Sequence, residues 1–102
     1  MGSNGNGMSD DFTTMNIRIE GEVQGCGFRD FALREANVRR LKGWVRNRAD
    51  GSLEAVASGP TQEVEAFIAA CMKGPPGSRV TALNLQPVDP PDSLGFIRRP
   101  SL

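Results

Sequence analysis

Residues 41–59, LKGWVRNRADGSLEAVASG, contain the strongest local signal in the chain, which is that of a β-hairpin. Apolar residues lie on both sides of Asp50-Gly51, as in two short strands that pack one face against a core. The Asp-Gly pair readily adopts the positive φ values that tight hairpin turns demand. We therefore expect two antiparallel strands joined at this turn in the middle of the chain.

On the N-terminal side of this hairpin, the sequence predicts a strand followed by a helix. From Met15 to Gly21 apolar and polar residues alternate, as in a half-buried strand. A glycine-rich loop follows. From about Phe28 to Arg40, helical spacing is shown by the apolar residues Phe28, Phe31, Ala32, Ala36 and Val38.

On the C-terminal side, the sequence predicts a second helix and two further strands. Pro60 begins the helix, Gly74 ends it, and its apolar stripe consists of Val64, Phe67, Ile68 and Cys71. Residues 79–88 and the short segment 95–99 have the composition of strands. The order β-α-β-β-α-β, with a short final strand, predicts an α+β fold of the ferredoxin-like class, in which two helices cover one face of an antiparallel sheet.

Length and composition favour one small globular domain. The 102 residues suffice for one core, and we assign residues 15–100 to it. Residues 1–14 are polar and glycine-rich, which predicts a disordered leader or in part the remnant of an expression tag. Twelve basic and twelve acidic residues cancel, and no apolar run approaches the roughly 20 residues that span a bilayer. We therefore expect neither nucleic-acid nor membrane binding. The sequence does not determine the oligomeric state, and a monomer is the default expectation.

Cysteine and histidine usage indicates the compartment and argues against a metal. Two cysteines, Cys26 and Cys71, are typical of free thiols in a reducing compartment, and we expect a cytoplasmic protein. With no histidine and no CxxC pair, the chain lacks the usual ligands of zinc. No metal site is predicted.

The loop between the first strand and the first helix, within EVQGCGFRDF (22–31), has two interpretations. A helix N-terminus offers unpaired N–H groups, Gly25 and Gly27 allow close approach of the backbone to a ligand, and the Arg29 guanidinium can grip two phosphate oxygens. Alternatively, the glycines only form a tight turn and Arg29 makes a surface ion pair. Spacing alone leaves both open.

Topology adds a second residue to this loop. In a right-handed βαβ crossover the first two strands run parallel, so their C-terminal ends lie at the same edge of the sheet. Asn47 ends the second strand, just before the hairpin turn. We therefore expect Arg29 and Asn47 to face one another.

Two other uses of the loop fit poorly. A cysteine-based phosphatase of the C-x5-R type needs an arginine at position 32, where the chain has Ala32, so Cys26 is not expected to be a nucleophile. Residues 24–31 partly match the RNA-binding RNP1 motif, but they lack its first aromatic residue and end the first strand rather than lying on the third.

The chain resembles the acylphosphatase family, which is marked by G-x-V-Q-G-V-G-F-R and, downstream, G-W-V-x-N-x-x-D-G. The matching segments are GEVQGCGFR (21–29) and GWVRNRADG (43–51), and the likeness extends from about Met15 to Arg99. The resemblance implies hydrolysis of acyl phosphates to a carboxylate and inorganic phosphate, without metal or organic cofactor. It also implies that Asn47 orients the attacking water, and that phosphate, or sulfate in its place, is bound by the backbone of Gln24, Gly25, Cys26, Gly27, Phe28 and Arg29 and by the Arg29 side chain.

Two departures from the family pattern and one alternative remain. Cys26 stands where valine is common, which makes the loop oxidisable. Arg39-Arg40-Leu41 replaces a common Leu-Gly-Leu, so a left-handed helix cap at Arg40 would cost about 1 kcal/mol of backbone strain. The alternative is a noncatalytic module that binds an anion or carbamoyl phosphate, since a similar domain opens larger hydrogenase-maturation proteins.

Overall fold

The computed structural model describes residues 11–101, so most of the predicted leader lies outside the described residues. Its elements, in chain order, are β1 (Phe12–Glu22), α1 (Phe28–Val38), β2 (Lys42–Asn47), β3 (Leu53–Pro60), α2 (Thr61–Lys73), β4 (Arg79–Pro87) and β5 (Phe96–Arg98). This is the predicted order. Neither helix is long and apolar enough to cross a membrane.

The strands form one sheet in the order β4-β1-β3-β2-β5, which confirms the ferredoxin-like fold. The prediction of a wholly antiparallel sheet needs one correction, because β5 pairs in parallel with β2. After β4 the chain crosses to the other edge of the sheet at the end where β1 and β2 begin. It therefore enters β5 from that end and runs in the same direction as β2.

The core lies between the sheet and the two helices. Ile17 and Ile19 of β1 are fully buried, as the alternation predicts, and they meet Val64 and Phe67 of α2 in one apolar cluster. Full burial of one such side chain stabilises a protein by roughly 1.5–3 kcal/mol. Among the apolar residues at helical spacing in α1, Val38 is the one that does not reach the core: it is 78% exposed, because α1 ends there.

β1 begins at Phe12, three residues before the predicted start, and so includes residues assigned by sequence to the leader. The extension pairs with the end of β3, from Phe12 opposite Pro60. The Thr14 hydroxyl also lies 2.7 Å from the Ser58 hydroxyl, within hydrogen-bond distance. The two threonines of this segment form hydrogen bonds through their hydroxyls. Because these residues are polar, the sequence pattern does not indicate a strand here.

α1 ends in a left-handed cap at Arg40, the geometry for which the sequence predicts a cost in backbone strain. Arg40 has φ 57°, and among the described residues it alone has a positive φ without being glycine. Its N–H donates to the Asn37 oxygen (3.0 Å), and the Leu41 N–H donates to the Ala36 oxygen (2.9 Å). This pair of bonds is the Schellman motif, which usually places glycine where Arg40 lies.

Candidate active site

The loop from β1 to α1 has a backbone suited to binding an anion. Gly25 and Gly27 have φ values of 78° and 81°, while Cys26 between them has a negative φ. Alternation of this kind turns successive N–H groups toward one concavity, called a nest, which binds anions. A Cβ on either glycine would meet no atom within 4 Å, so the left-handed conformation, rather than crowding, requires glycine.

The first turn of α1 adds further donors to this loop. Gly27 is the N-cap, and no side chain caps the helix. The first helical bond runs from the Phe31 N–H to the Gly27 oxygen (3.0 Å), so the N–H groups of the three preceding residues have no intrahelical acceptor. Together with the helix dipole, they give this end of α1 a partial positive charge.

Arg29 and Asn47 lie on the same pocket, as the topology predicts. We call it the loop pocket; its volume is about 120 Å³, and it is lined by Val23, Gly25, Gly27, Phe28, Arg29, Asp30, Asn47 and Arg98. Both β1 and β2 are antiparallel to β3, so their C-terminal ends meet at one edge of the sheet. Asn47 lies two positions after Val45 in β2, so the two side chains are on the same face of the sheet. Val45 is fully buried in the core under the helices, and the Asn47 side chain therefore extends on the helix side toward the start of α1.

Neither Gln24 nor Cys26 is among the residues that line the loop pocket. Gln24 Nε2 donates hydrogen bonds to the backbone oxygens of Arg48 (2.8 Å) and Ser52 (2.9 Å) in the hairpin turn. Cys26 is a half-buried free thiol that packs against the core. The sequence predicts that Gln24 and Cys26 belong to a phosphate-binding loop. Since their side chains are directed elsewhere, only their backbone groups can take part in such binding.

Sequence reasoning missed Asp30 and Arg98 in the loop pocket. Arg98 Nη1 donates a 2.7 Å hydrogen bond to Asp30 Oδ1, and both side chains are about half exposed. Arg98 reaches this edge because it pairs with Val45 across the parallel β2–β5 ladder. The sequence predicts the strand that contains Arg98. It does not indicate that this strand pairs with β2.

The other arginines of the hairpin, Arg46 and Arg48, share one carboxylate, that of Glu54, on the opposite face of the sheet. Glu54 accepts hydrogen bonds from Arg46 Nε and Nη2 (3.0 and 2.9 Å), Arg48 Nη1 (2.8 Å) and Asn16 Nδ2 (2.9 Å). Burial works to raise the pKa of Glu54, but these hydrogen bonds outweigh it and hold the pKa below its ordinary value. Arg46 and Arg48 therefore form ion pairs with Glu54, and neither contributes its charge to the loop pocket.

Asp50 accepts two hydrogen bonds from Ser52 within the hairpin turn. The Ser52 hydroxyl (2.6 Å) and N–H (3.0 Å) both donate to Asp50 Oδ1, and they lower the pKa of that carboxyl. This confirms that Asp50-Gly51 forms the turn, where Gly51 has φ 93°.

Burial raises the pKa of Cys71 to about 12, so this thiol is not a nucleophile at neutral pH. Within residues 11–101, no three His, Cys, Asp or Glu side chains cluster as metal ligands.

The fold and the site together define a class, that of small ferredoxin-like proteins with a glycine loop and a helix N-terminus at one compact pocket. The model of the acylphosphatase family matches residues 15–97. An acylphosphatase from Rhodospirillum rubrum is 48% identical over 89 residues, which cover 87% of this chain and 98% of the relative.

Solved structures agree with these sequence matches. The crystal structure of acylphosphatase from Bacillus subtilis superposes with a TM-score of 0.81 at 36% identity, over 87% of this chain and 99% of that one. Full-length HypF, in a phosphate- and nucleotide-bound form, matches 89% of this chain over 12% of its own length, with a TM-score of 0.82 at 32% identity. The chain belongs to the acylphosphatase family. It is a hydrolase that acts on small-molecule acyl phosphates and releases a carboxylate and inorganic phosphate.

Proposed function

We propose that the loop pocket is the active site, in which Arg29 and the N–H groups of residues 24–29 bind the phosphoryl group and Asn47 orients the attacking water. The observation that carries this proposal is that Arg29, Asn47 and the two loop glycines line one pocket of about 120 Å³. A pocket of this size encloses the phosphoryl group and leaves the acyl part outside. The substrate's acyl group is then weakly specified.

The reaction needs little beyond positioning and charge stabilisation. The water oxygen forms a bond to phosphorus, while the bond from phosphorus to the acyl oxygen breaks and its electron pair leaves with the carboxylate. The conjugate acid of this leaving group has a pKa of about 4, so it departs without a general acid. The proton of the water passes to a phosphate oxygen, and no histidine is needed.

Each proposed group acts on a different part of the transition state. The Arg29 guanidinium and the loop N–H groups stabilise the equatorial oxygens as charge shifts onto them. The Asn47 side chain accepts a hydrogen bond from the water and holds one lone pair in line with the breaking bond. Arg29 therefore governs both binding and turnover, whereas Asn47 governs mainly turnover.

A phosphate-release assay tests these roles, with an aryl acyl phosphate as substrate and a chelator present. We expect Arg29→Ala to abolish most binding and turnover, and Asn47→Ala to lower kcat by on the order of 10² or more with a smaller change in KM. Arg34→Ala, which removes an exposed arginine of α1 outside the loop pocket, is the matched control. Wild-type rates in both site variants would refute the assignment.

Direct binding of phosphate separates this proposal from a noncatalytic module. HypF was solved in a phosphate- and nucleotide-bound form, so inorganic phosphate is the natural first ligand to titrate, with sulfate as a second anion. The proposal requires weak, Arg29-dependent competition by phosphate during turnover. Tight phosphate binding without turnover would instead favour the noncatalytic module.

We further propose that the enzyme is a monomer of the cytoplasm. Both cysteines are free, and the Cys71 thiol lies in the apolar core, as is common in a reducing compartment. Four of the exposed large apolar side chains, Val38, Met72, Leu85 and Ile97, lie on four different elements, and of the exposed set among the described residues only Phe12 and Val88 line a common pocket. Size-exclusion chromatography with light scattering checks the mass, and a mass near 22 kDa, twice the 11.0 kDa of one chain, would contradict the monomer.

A further inference from the structure

A second cavity, of about 820 Å³, lies at the opposite end of the sheet from the loop pocket. We call it the distal pocket. Phe12 and Thr14 at the start of β1 line it, whereas β1 ends beside the glycine loop. Eleven strand residues separate the two regions by roughly 30 Å, so the distal pocket takes no part in the chemistry proposed above.

The distal pocket carries positive charge. Arg39, Arg40 and Lys42 line it, and no aspartate or glutamate does. Arg39 is paired with Glu35 at 2.6 Å and lies 3.9 Å from Glu63. Arg40 and Lys42 form no ion pair with any residue among 11–101, and both are exposed. Within the described part of the chain, Arg40 and Lys42 are thus two cations without an ion-pair partner that line this cavity.

The remaining walls of the distal pocket are largely apolar. They include Pro60, Pro90 and Pro91, together with Phe12 and Val88. The Phe12 side chain is 71% exposed and that of Val88 is 39% exposed, although both are large and apolar. Apolar surface left in water beside unpaired cations is complementary to a molecule that has an apolar body and an anionic head.

Arg40 also occupies the left-handed cap that ends α1. A non-glycine residue held at φ 57° costs about 1 kcal/mol, and such strain concentrates at functional sites. The strained residue here is one of the two unpaired cations of the distal pocket. The strain, the charge and the apolar walls thus coincide at one place in the molecule.

We propose that the distal pocket binds a small organic anion with an apolar body, of the aryl or acyl carboxylate class. The anionic head contacts Arg40 and Lys42, and the body packs against Phe12, Val88 and the proline walls. A volume of about 820 Å³ lies within the range of small-molecule sites, roughly 300–1,000 Å³. This is a binding site separate from the loop pocket, and its occupation does not depend on the roles proposed for Arg29 and Asn47.

Calorimetric titration with naphthoate tests the proposal, with inorganic phosphate present in excess to occupy the loop pocket. We expect naphthoate to bind, and naphthylmethanol, which has the same body without charge, to bind at least about tenfold more weakly. Arg40→Gly and Lys42→Gln should each weaken naphthoate binding by about tenfold. Arg34→Gln, which removes an exposed arginine of α1 outside both pockets, should leave it unchanged.

Amide chemical shifts locate the bound naphthoate. Shifts at Lys42, Ser58 and Gly59, with none at Gly25 and Gly27, would support the distal pocket. Shifts confined to the loop glycines would overturn the proposal. Equal affinities for naphthoate and naphthylmethanol, or equal losses of naphthoate affinity in Arg40→Gly and Arg34→Gln, would also overturn it.

Binding of an acidic apolar peptide but not of naphthoate would also overturn the proposal, since the site would then belong to a protein partner. Naphthyl phosphate, titrated in parallel, separates a preference for carboxylate from one for phosphate, and tighter binding of the phosphate would refute the carboxylate assignment.

Discussion

Gln24 and Arg48 are 24 positions apart in sequence, yet Gln24 Nε2 donates a 2.8 Å hydrogen bond to the Arg48 backbone oxygen. The same nitrogen donates to the Ser52 oxygen at 2.9 Å. These two bonds tie the glycine loop after β1 to the turn that follows β2. Because Asn47 is the last residue of β2, the Gln24 side chain ties the glycine loop to the segment that carries the proposed water-orienting residue.

We expect Gln24→Ala to loosen this connection and lower kcat/KM by about tenfold, because small displacements of catalytic groups have large effects on rate. The loss of two hydrogen bonds should also cost about 1 kcal/mol in the free energy of unfolding. Steady-state kinetics with an aryl acyl phosphate and urea denaturation measure the two effects. Gln62→Ala, at an exposed position of α2, is the matched control. Equal kinetics in the two variants would show that Gln24 does not position the loop.

The pair of Asp30 and Arg98 should tune the affinity of the loop pocket for its anion. Asp30 places a carboxylate beside the proposed phosphate site, and Arg98 holds that carboxylate at 2.7 Å. Arg98→Gln leaves the negative charge unpaired, so we expect KM to rise by about three- to tenfold; Asp30→Asn removes the charge, so we expect KM to fall. Both effects should shrink as salt is added, because the side chains are exposed.

The double variant Asp30→Asn, Arg98→Gln provides the control for this pair. If Arg98 acts by neutralising Asp30, the double variant should have a KM close to that of the unaltered enzyme, and inhibition by inorganic phosphate should follow the same order. A KM as high as that of Arg98→Gln alone would mean that Arg98 contacts the substrate directly, and it would contradict the neutralising role.

The parts of the site that sequence predicts are those set by local backbone chemistry and by the handedness of the crossover. Gly25, Gly27 and Gly51 all have the positive φ values that turn signals require. Arg29 and Asn47 lie on one pocket because the crossover makes β1 and β2 run in the same direction. No tertiary contact needs to be known for either inference.

The parts of the fold and the site that the sequence does not predict depend on which other element each strand pairs with. β5 has only three residues, and its pairing with β2, which brings Arg98 to Asp30, follows from packing across the whole sheet. The early start of β1 has a similar cause, since Thr13 and Thr14 find hydroxyl partners in Thr61 and Ser58. Their polar sequence resembles a leader until the partners are known.

Arg40→Gly should raise stability, because glycine adopts the left-handed cap without the strain that a Cβ imposes there. We expect a gain of about 1 kcal/mol in the free energy of unfolding, and a Tm higher by about 5 °C. Thermal unfolding followed by circular dichroism measures the shift. Arg34→Gly, in the interior of α1, is the opposite control and should lose about 1 kcal/mol. A destabilised Arg40→Gly would mean that contacts of the Arg40 side chain outweigh the backbone strain.

Glu54 should make the protein sensitive to acid. Its folded-state pKa lies below the ordinary value of 4.5, because the hydrogen bonds from Asn16, Arg46 and Arg48 outweigh the effect of burial. The folded protein therefore binds this proton less readily than the unfolded chain does. The stabilisation is fully present above the unfolded pKa, near pH 5 and higher, and is lost as pH falls through the folded pKa.

We expect Glu54→Gln to lower the free energy of unfolding at pH 7 by about 2 kcal/mol, because it leaves Arg46 and Arg48 without their carboxylate. The variant should also lose less stability than the unaltered protein between about pH 5 and pH 3. Urea denaturation across this range measures both effects, with Glu65→Gln, at an exposed position of α2, as the control. Asp50, whose pKa is lowered by Ser52, keeps part of the acid sensitivity in either variant. If the stability profiles of Glu54→Gln and Glu65→Gln run parallel down to pH 3, then Glu54 is not the group that titrates.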